Sequence, residues 1–288
     1  MGARVYYPRE SLRDGSDPVL VTPEAAGWAY SGLRIVELAP GEERVIATGD
    51  AEMAVLPLAG SFTVECEGRR FALAGREDVF SRVSDFAYLP IDAEARVAAA
   101  GGGRLALPSA KATRRLDPAY GAARDVRVEI RGAGQATRQI NNFLAPQSLE
   151  ADKLVAVEVL TPDGNWSSYP PHKHDEASES EAVLEEIYYF EVRGDAGFAL
   201  QRLYTADGEI DATETVRSGD VFLIPRGYHG PSIAPPGYEL YYLNVLAGPA
   251  EERTMAFCTD PAHDWLWGAW QTVAADPRAP LTTAQGRR

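Results

Sequence analysis

The chain has 288 residues, 45% apolar and 24% charged, with 26 Gly and 20 Pro, a turn-rich globular composition that excludes fibrous and disordered classes. Its 42 acidic and 28 basic residues leave a formal charge of −14, a field that repels nucleic acid and anionic membrane surfaces before contact. Cys66 and Cys258 are the two cysteines, too few and too far apart for a zinc framework or a disulfide scaffold, so both are expected as core thiols.

Met1 to Glu10 carries Arg4, Arg9 and Glu10 without an apolar leader core. No stretch approaches the ~18 apolar residues of a membrane span, which makes a cytoplasmic location the expectation. Strand-like runs then follow in order: Leu33–Leu38, Glu52–Leu58, Ser61–Glu65, Phe86–Leu89, Arg104–Leu107, Lys153–Leu160, Glu186–Val192, Gly197–Tyr204, Asp220–Ile224 and Tyr238–Leu246. Val, Ile, Tyr and Phe dominate them, as half-buried strands require. Such short runs between Gly, Pro and Asp turns predict an all-β antiparallel sandwich or barrel with no long helix.

The runs repeat at about half the chain length. Glu52 and Gly60 match Glu186 and Gly194 at an offset of 134, while Asp85 and Pro90 match Asp220 and Pro225 at an offset of 135. Matches at strand ends and turns are those a duplicated β domain would keep. The Arg- and Gly-dense stretch Pro108–Asn142 is expected to hold the linker, giving units over 1–125 and 126–270. Residues 271–288 read as a loose polar tail.

Three of the four histidines fall into one pattern: His172-Lys173-His174 after Tyr169-Pro170-Pro171, then His229 after Pro225-Arg226-Gly227-Tyr228. Residues two apart on a strand share a face, so His172 and His174 can offer both imidazoles to one ion. Glu186 opens the next strand run and can bring a carboxylate alongside. Alternation lets only one of Glu185 and Glu186 face inward. Three imidazoles and a carboxylate leave two positions of a six-coordinate ion open for a substrate, as a closed structural site would not. His263, near Trp265, Trp267 and Trp270, is expected to pack or hydrogen bond instead of ligating.

The His-x-His, the glutamate after it, and Gly219-x5-Pro225-x-Gly227-Tyr228-His229 resemble the two cupin signatures. One residue between Gly227 and His229, where the usual pattern has two, and the long gap from His174 to Glu186 point to a particular branch of the superfamily. Over nearly its full length the chain is similar to the 5-deoxy-glucuronate isomerases of inositol catabolism. The resemblance is carried by Asn165-Trp166-Ser167-Ser168-Tyr169-Pro170-Pro171-His172-Lys173-His174-Asp175, Leu184-Glu185-Glu186-Ile187-Tyr188-Tyr189-Phe190 and Pro225-Arg226-Gly227-Tyr228-His229. A more distant likeness, to the ketol-isomerase of pectin breakdown, favours Glu186 over Glu185 as ligand.

The resemblance implies two tandem cupin barrels of jelly-roll type and conversion of 5-deoxy-D-glucuronate to 5-dehydro-2-deoxy-D-gluconate. It implies one divalent metal ion per chain, zinc or manganese first, held by His172, His174, Glu186 and His229. No histidine precedes His172, so the first barrel is expected to pack, to shape the pocket mouth or to form the contacts of a homo-oligomer. A general base is needed to move the proton between C2 and C1, and Asp175, Glu185 and Lys173 are the candidates near the ligands. The substrate carboxylate calls for an arginine: Arg226 first, Arg138 second, with Tyr228 beside them. A cupin dioxygenase and a non-catalytic sugar-acid-binding bicupin are the two rival readings of the same residues.

Overall fold

Short runs of β-branched and aromatic residues pair into sheets here because such side chains fit a pleated surface buried on at least one face. The computed structural model describes residues 4–288. Its first half supplies β1 (Tyr6–Tyr7), β2 (Val19–Val21), β3 (Ser31–Leu38), β4 (Glu42–Ala47), β5 (Ala51–Cys66), β6 (Arg69–Arg76), β7 (Phe86–Leu89), β8 (Glu94–Ala99), β9 (Gly103–Lys111) and β10 (Ala119–Gly121). The second half supplies β11 (Arg127–Arg131), β12 (Arg138–Leu144), β13 (Val155–Thr161), β14 (Trp166–Ser167), β15 (His172–Lys173), β16 (Glu185–Val192), β17 (Ala199–Tyr204), β18 (Asp211–Val216), β19 (Val221–Ile224), β20 (Tyr228–Ile233), β21 (Leu240–Ala247) and β22 (Cys258–Thr259). A hairpin of β23 (Thr282–Thr283) and β24 (Gly286–Arg287) ends the chain, and the α-helices, α1 (Pro23–Ala26) and α2 (Trp265–Ala269), are single turns. Among the described residues no helix is long and apolar enough to cross a membrane.

Two large sheets carry the same strand order. One runs β10-β7-β5-β9-β3-β2, with β6, β8 and β4 continuing it, and the other runs β1-β19-β16-β21-β13-β12-β11. Position for position, β5 corresponds to β16, β7 to β19, β9 to β21 and β3 to β13. Bulges near Pro57–Ala59 and Gly60–Phe62 bend the long β5 around its barrel. The second barrel closes with a separate sheet, β18-β17-β20-β15-β22, on which β14 joins β20. This is the duplicated β architecture that the sequence repeat implied, in the cupin form that the family resemblance implied.

β1 and β10 take the same place at the edges of the two large sheets. Tyr6–Tyr7 pairs with β19, and Ala119–Gly121 pairs with β7. The phenols of both strands donate to matching carboxylates, Tyr6 to Asp220 at 2.8 Å and Tyr120 to Asp85 at 2.9 Å. The pairing of Asp85 with Asp220 in the sequence repeat is therefore structural. That of Glu52 with Glu186 needs correction by one residue: Met53 faces Leu89 and Ser109 as Glu186 faces Ile224 and Leu246. Glu52 thus corresponds to Glu185, and a one-residue slip puts a side chain on the opposite face.

Faces of β16 divide between two cores. Ile187 and Tyr189 join a cluster shared with Leu56, Tyr88 and Phe86 between the barrels, whereas Tyr188 and Phe190 fill the second barrel with Val157, Val159 and Tyr242. A third cluster, with Val36, Val55, Phe62 and Leu105, fills the first barrel. The inter-barrel layer also holds the buried pair Arg76–Glu158, whose carboxylate accepts from Tyr241 at 2.9 Å and Asn141 at 3.0 Å. Three donors on one carboxylate are what make this buried charge tolerable.

Two expectations change. The stretch Pro108–Asn142 is about half strand, with the end of β9, β10, β11 and part of β12, and the chain passes between the large sheets from β10 to β11. Residues 271–288 are anchored and not loose: Leu281 and Thr282 are buried, and Thr282 exchanges 3.0 Å hydrogen bonds with the Gln139 amide. Val83 N donates to Thr283 O at 3.0 Å and Arg287 pairs with Glu239 at 2.6 Å, so the final hairpin touches both barrels.

Candidate metal centre

The second barrel brings the histidines and Glu186 together from opposite sheets. His172 opens β15, paired in register with His229 on β20, and His174 lies two residues on, on the same face. Glu186 projects from β16, between Ile224 and Leu246 of the neighbouring strands. The long gap from His174 to Glu186 closes on itself, because Leu184 N donates to His174 O at 2.9 Å. On β20, Gly230 has φ +101° and an added Cβ would lie 1.8 Å from Ser168 O, so only glycine lets this strand approach so closely beside His229.

His174 Nε2 and His229 Nε2 lie 2.8 and 2.9 Å from the same atom, Glu186 Oε2. The ligand atoms of these three residues all fall within 4.8 Å of one another. His172 is outside that group of three, although its ring centroid lies 4.4 Å from that of His229. Each of the three imidazoles turns Nδ1 to a backbone carbonyl: His172 to Pro170 at 3.2 Å, His174 to Leu184 at 3.0 Å and His229 to Gly227 at 3.4 Å. Those contacts fix the tautomer that leaves Nε2 free as a ligand. His229 Nε2 is buried with no hydrogen-bond partner among the described residues despite its closeness to Glu186. The residues present fit a divalent cation.

Electrostatics agree with that donor set at His172 and Glu186; at His174 burial favours the neutral ring, but the Glu186 carboxylate outweighs it and raises the pKa above 6.5. Burial, with His229 adding to it, pushes the His172 pKa well below 6.5, so this imidazole is neutral at pH 7. Burial opposes ionisation of Glu186, yet His229 and His174 hold its carboxyl far below the usual carboxylate range. A neutral imidazole and an ionised carboxylate are the forms that bind metal.

A cavity of about 110 Å³ opens onto this cluster and is lined by His172, His174 and Glu186. Arg138 also lines it, buried, with Nη1 donating to Ala136 O at 3.2 Å. Burial pushes this guanidinium down to about 10. Ser168, Tyr188, Asn244 and Arg131 add polar lining, and Ile140, Val157 and Val159 an apolar wall.

The other sequence candidates lie elsewhere. Arg226 is half-exposed and paired with Asp207 at 3.1 Å and Glu209 at 2.5 Å, and Tyr228 packs on Tyr204 with ring centroids 5.6 Å apart. Lys173 Nζ is held by Asp175 at 2.7 Å and Glu181 at 2.9 Å; burial opposes its charge, but those carboxylates raise its pKa. The second oxygen of Asp175 accepts from Gly227 N at 2.6 Å. Glu185 accepts from Ala29, Tyr30 and Ser31 N at 2.6–2.8 Å. None of these five residues lines the cavity. His263 packs obliquely on Tyr169, with ring centroids 6.2 Å apart. Sequence reading missed Tyr188, Asn244, Arg131 and Ser168. Alternation from Glu186 pointed to Tyr188, and a lone amide within the apolar run Tyr238–Leu246 marked Asn244.

The KduI/IolB family model matches residues 6–266. The 5-deoxy-glucuronate isomerase of Geobacillus kaustophilus is 44% identical over 271 residues, covering 92% of this chain and 95% of that protein. That of Bacillus subtilis is 38% identical over 249 residues, covering 85% and 91%. Among solved structures, an IolB-like protein from Salmonella typhimurium superposes with a TM-score of 0.86 at 34% identity, covering 92% of this chain and 99% of that one. An oxalate decarboxylase from Lactobacillus farciminis, with a TM-score of 0.64, 14% identity and 88% of each chain covered, shares the bicupin fold. Near-complete coverage at such identity, joined to the signature segments around His172, Glu186 and His229, makes this chain a member of the KduI/IolB family.

Proposed function

We propose that this protein is a metal-dependent aldose–ketose isomerase acting on 5-deoxy-D-glucuronate and forming 5-dehydro-2-deoxy-D-gluconate. The observation that carries the reading is one cavity lined at one place by His174 and Glu186 of the convergent cluster and at another by Arg138, which is buried and has no salt-bridge partner among the described residues. An open-chain uronate needs both ends: a site for the C1 carbonyl and C2 hydroxyl, and a cation for its carboxylate. His172, His174, Glu186 and His229 would hold one divalent ion, zinc or manganese, which when bound supplies Lewis-acid polarisation of the carbonyl.

This chain's own residues then orient and select. Arg138 takes the substrate carboxylate, and its burial makes that ion pair stronger than the solvated pairs of Arg226. Tyr188 Oη lies 3.2 Å from Ser168 Oγ at the cavity wall. Burial and the charge of Glu186 hold its phenol protonated well above 10, so it donates a hydrogen bond to a substrate oxygen. Lys173 and Asp175 act as positioning residues, tying the strand that carries His172 and His174 to the turn before His229. Glu185, spent on backbone donors, braces the barrels.

The test is conversion of 5-deoxy-glucuronate followed directly by product formation, before and after chelation. Activity lost on chelation and regained with zinc or manganese under anaerobic conditions is the expected result. A strict requirement for iron with oxygen consumption would instead establish a dioxygenase.

A further inference from the structure

We infer that Asn244 is a substrate-recognition residue that reads the C3 hydroxyl, in the middle of an open-chain sugar acid, and that it works between the metal end and the Arg138 end of the cavity. This rests on the isomerase reading above. Asn244 is 9% exposed, lines the cavity, and its Oδ1 is buried with no hydrogen-bond partner among the described residues. An amide buried on a strand otherwise made of Leu, Tyr, Val and Ala is unfavourable unless something completes it.

Register places this amide along a line of cavity residues. On β16 and β21 Tyr188 faces Asn244 while Glu186 faces Leu246; on β13 Val157 faces Asn244 and Val159 faces Tyr242; on β12 Ile140 faces Val159. From Glu186 to Asn244 to Val159 to Arg138, each step moves one strand across and one inward-facing pair along. Glu186, Asn244, Val159 and Arg138 all line the cavity. A linear acid anchored at C1–C2 by the cluster and at C6 by Arg138 therefore passes Asn244 with its central hydroxyls. Its methylene at C5 then meets Val159 and Ile140, side chains that neither accept nor donate a hydrogen bond. Asn244 offers both an acceptor and a donor, so it can hold the C3 hydroxyl and reach the adjacent one at C4.

The experiment uses the metal-loaded full chain, as wild type and as Asn244→Leu, with Asn244→Ser as the variant least prone to misfold. The ligand is the substrate with its aldehyde reduced to an alcohol, which keeps the C3 and C4 hydroxyls and the carboxylate but cannot isomerise, alongside the same acid lacking the C3 hydroxyl. Calorimetry should show wild type preferring the full acid by about tenfold or more, and the Leu variant losing that preference, since a site built to hydrogen bond a hydroxyl rejects the analogue without it. Melting of the ligand-free Leu variant should be no lower than wild type, because an unpaired buried amide has been removed. Equal loss for both acids, unchanged discrimination, or a lowered melting temperature would overturn the role of Asn244. Wild-type turnover of 5-deoxy-glucuronate is measured in parallel, and its absence with discrimination intact would refute the isomerase reading while leaving hydroxyl recognition standing.

Discussion

Glu52 and Glu185 occupy the same register position in the two barrels, and each accepts three consecutive backbone N–H groups from the other repeat. Glu52 takes those of Asp152, Lys153 and Leu154 at 2.6–2.8 Å, with Tyr88 Oη at 2.6 Å. Glu185 takes those of Ala29, Tyr30 and Ser31. The two side chains therefore satisfy the backbone where β13 and β3 begin.

Glu52→Ala should leave metal content unchanged and destabilise the protein by ~2–4 kcal/mol, because it orphans several buried donors at once. Denaturant unfolding with elemental analysis of the same sample checks both halves of the statement. Metal loss in this variant would show that the first barrel contributes to a metal site.

Glu185→Gln should lower the unfolding midpoint while keeping kcat within a few-fold, since the carboxylate bonds backbone at the barrel junction and does not line the cavity. A collapse of kcat at unchanged stability would make Glu185 the general base instead.

His174→Ala and His229→Ala each remove an atom that converges on Glu186 Oε2. Both should abolish most metal binding and turnover together. Asp175→Asn weakens the 2.6 Å contact to Gly227 N that steadies the turn before His229, and a loss of metal affinity of about tenfold is expected, typical of outer partners of a metal ligand. Titration with a competing chelator ranks the three variants. Full occupancy in the alanine variants would place the ion elsewhere.

Arg138→Lys should raise KM for the acid by about 10²-fold, because an ammonium cannot reproduce a bidentate grip on a carboxylate. Arg226→Lys should change KM little, its guanidinium being engaged by Asp207 and Glu209 at the surface. Initial-rate kinetics on the two variants decide between the arginines.

The anchored C-terminal segment should loosen in acid. Bonds from Arg278, outweighing burial, hold the Asp276 carboxyl at about 2, below its usual 3.8. A depressed folded-state pKa means that this contribution is present above about pH 4 and is lost as pH falls toward about 2. Asp276→Asn should thus melt slightly below wild type at pH 7, the difference fading by pH 2. A difference that stayed constant across that range would show that the charge plays no part.

What the sequence alone determined was whatever depends on local spacing. Two-residue alternation assigned His172 and His174 to one face, turn residues delimited the strands, and the absence of histidine before His172 confined the imidazole site to the second barrel. The matched Asp85 and Asp220 disclosed the duplication because each caps the same kind of strand end. Only tertiary structure could decide partners that are distant along the chain. Glu185 meets Ala29 to Ser31 across 154–156 positions, and Arg138 rather than Arg226 reaches the cavity because a buried strand carries one and a solvated turn the other. Register between β5 and β7 likewise set Met53, not Glu52, opposite the place of Glu186, for a pairing shift of one residue changes the face of every side chain and leaves the sequence pattern almost untouched.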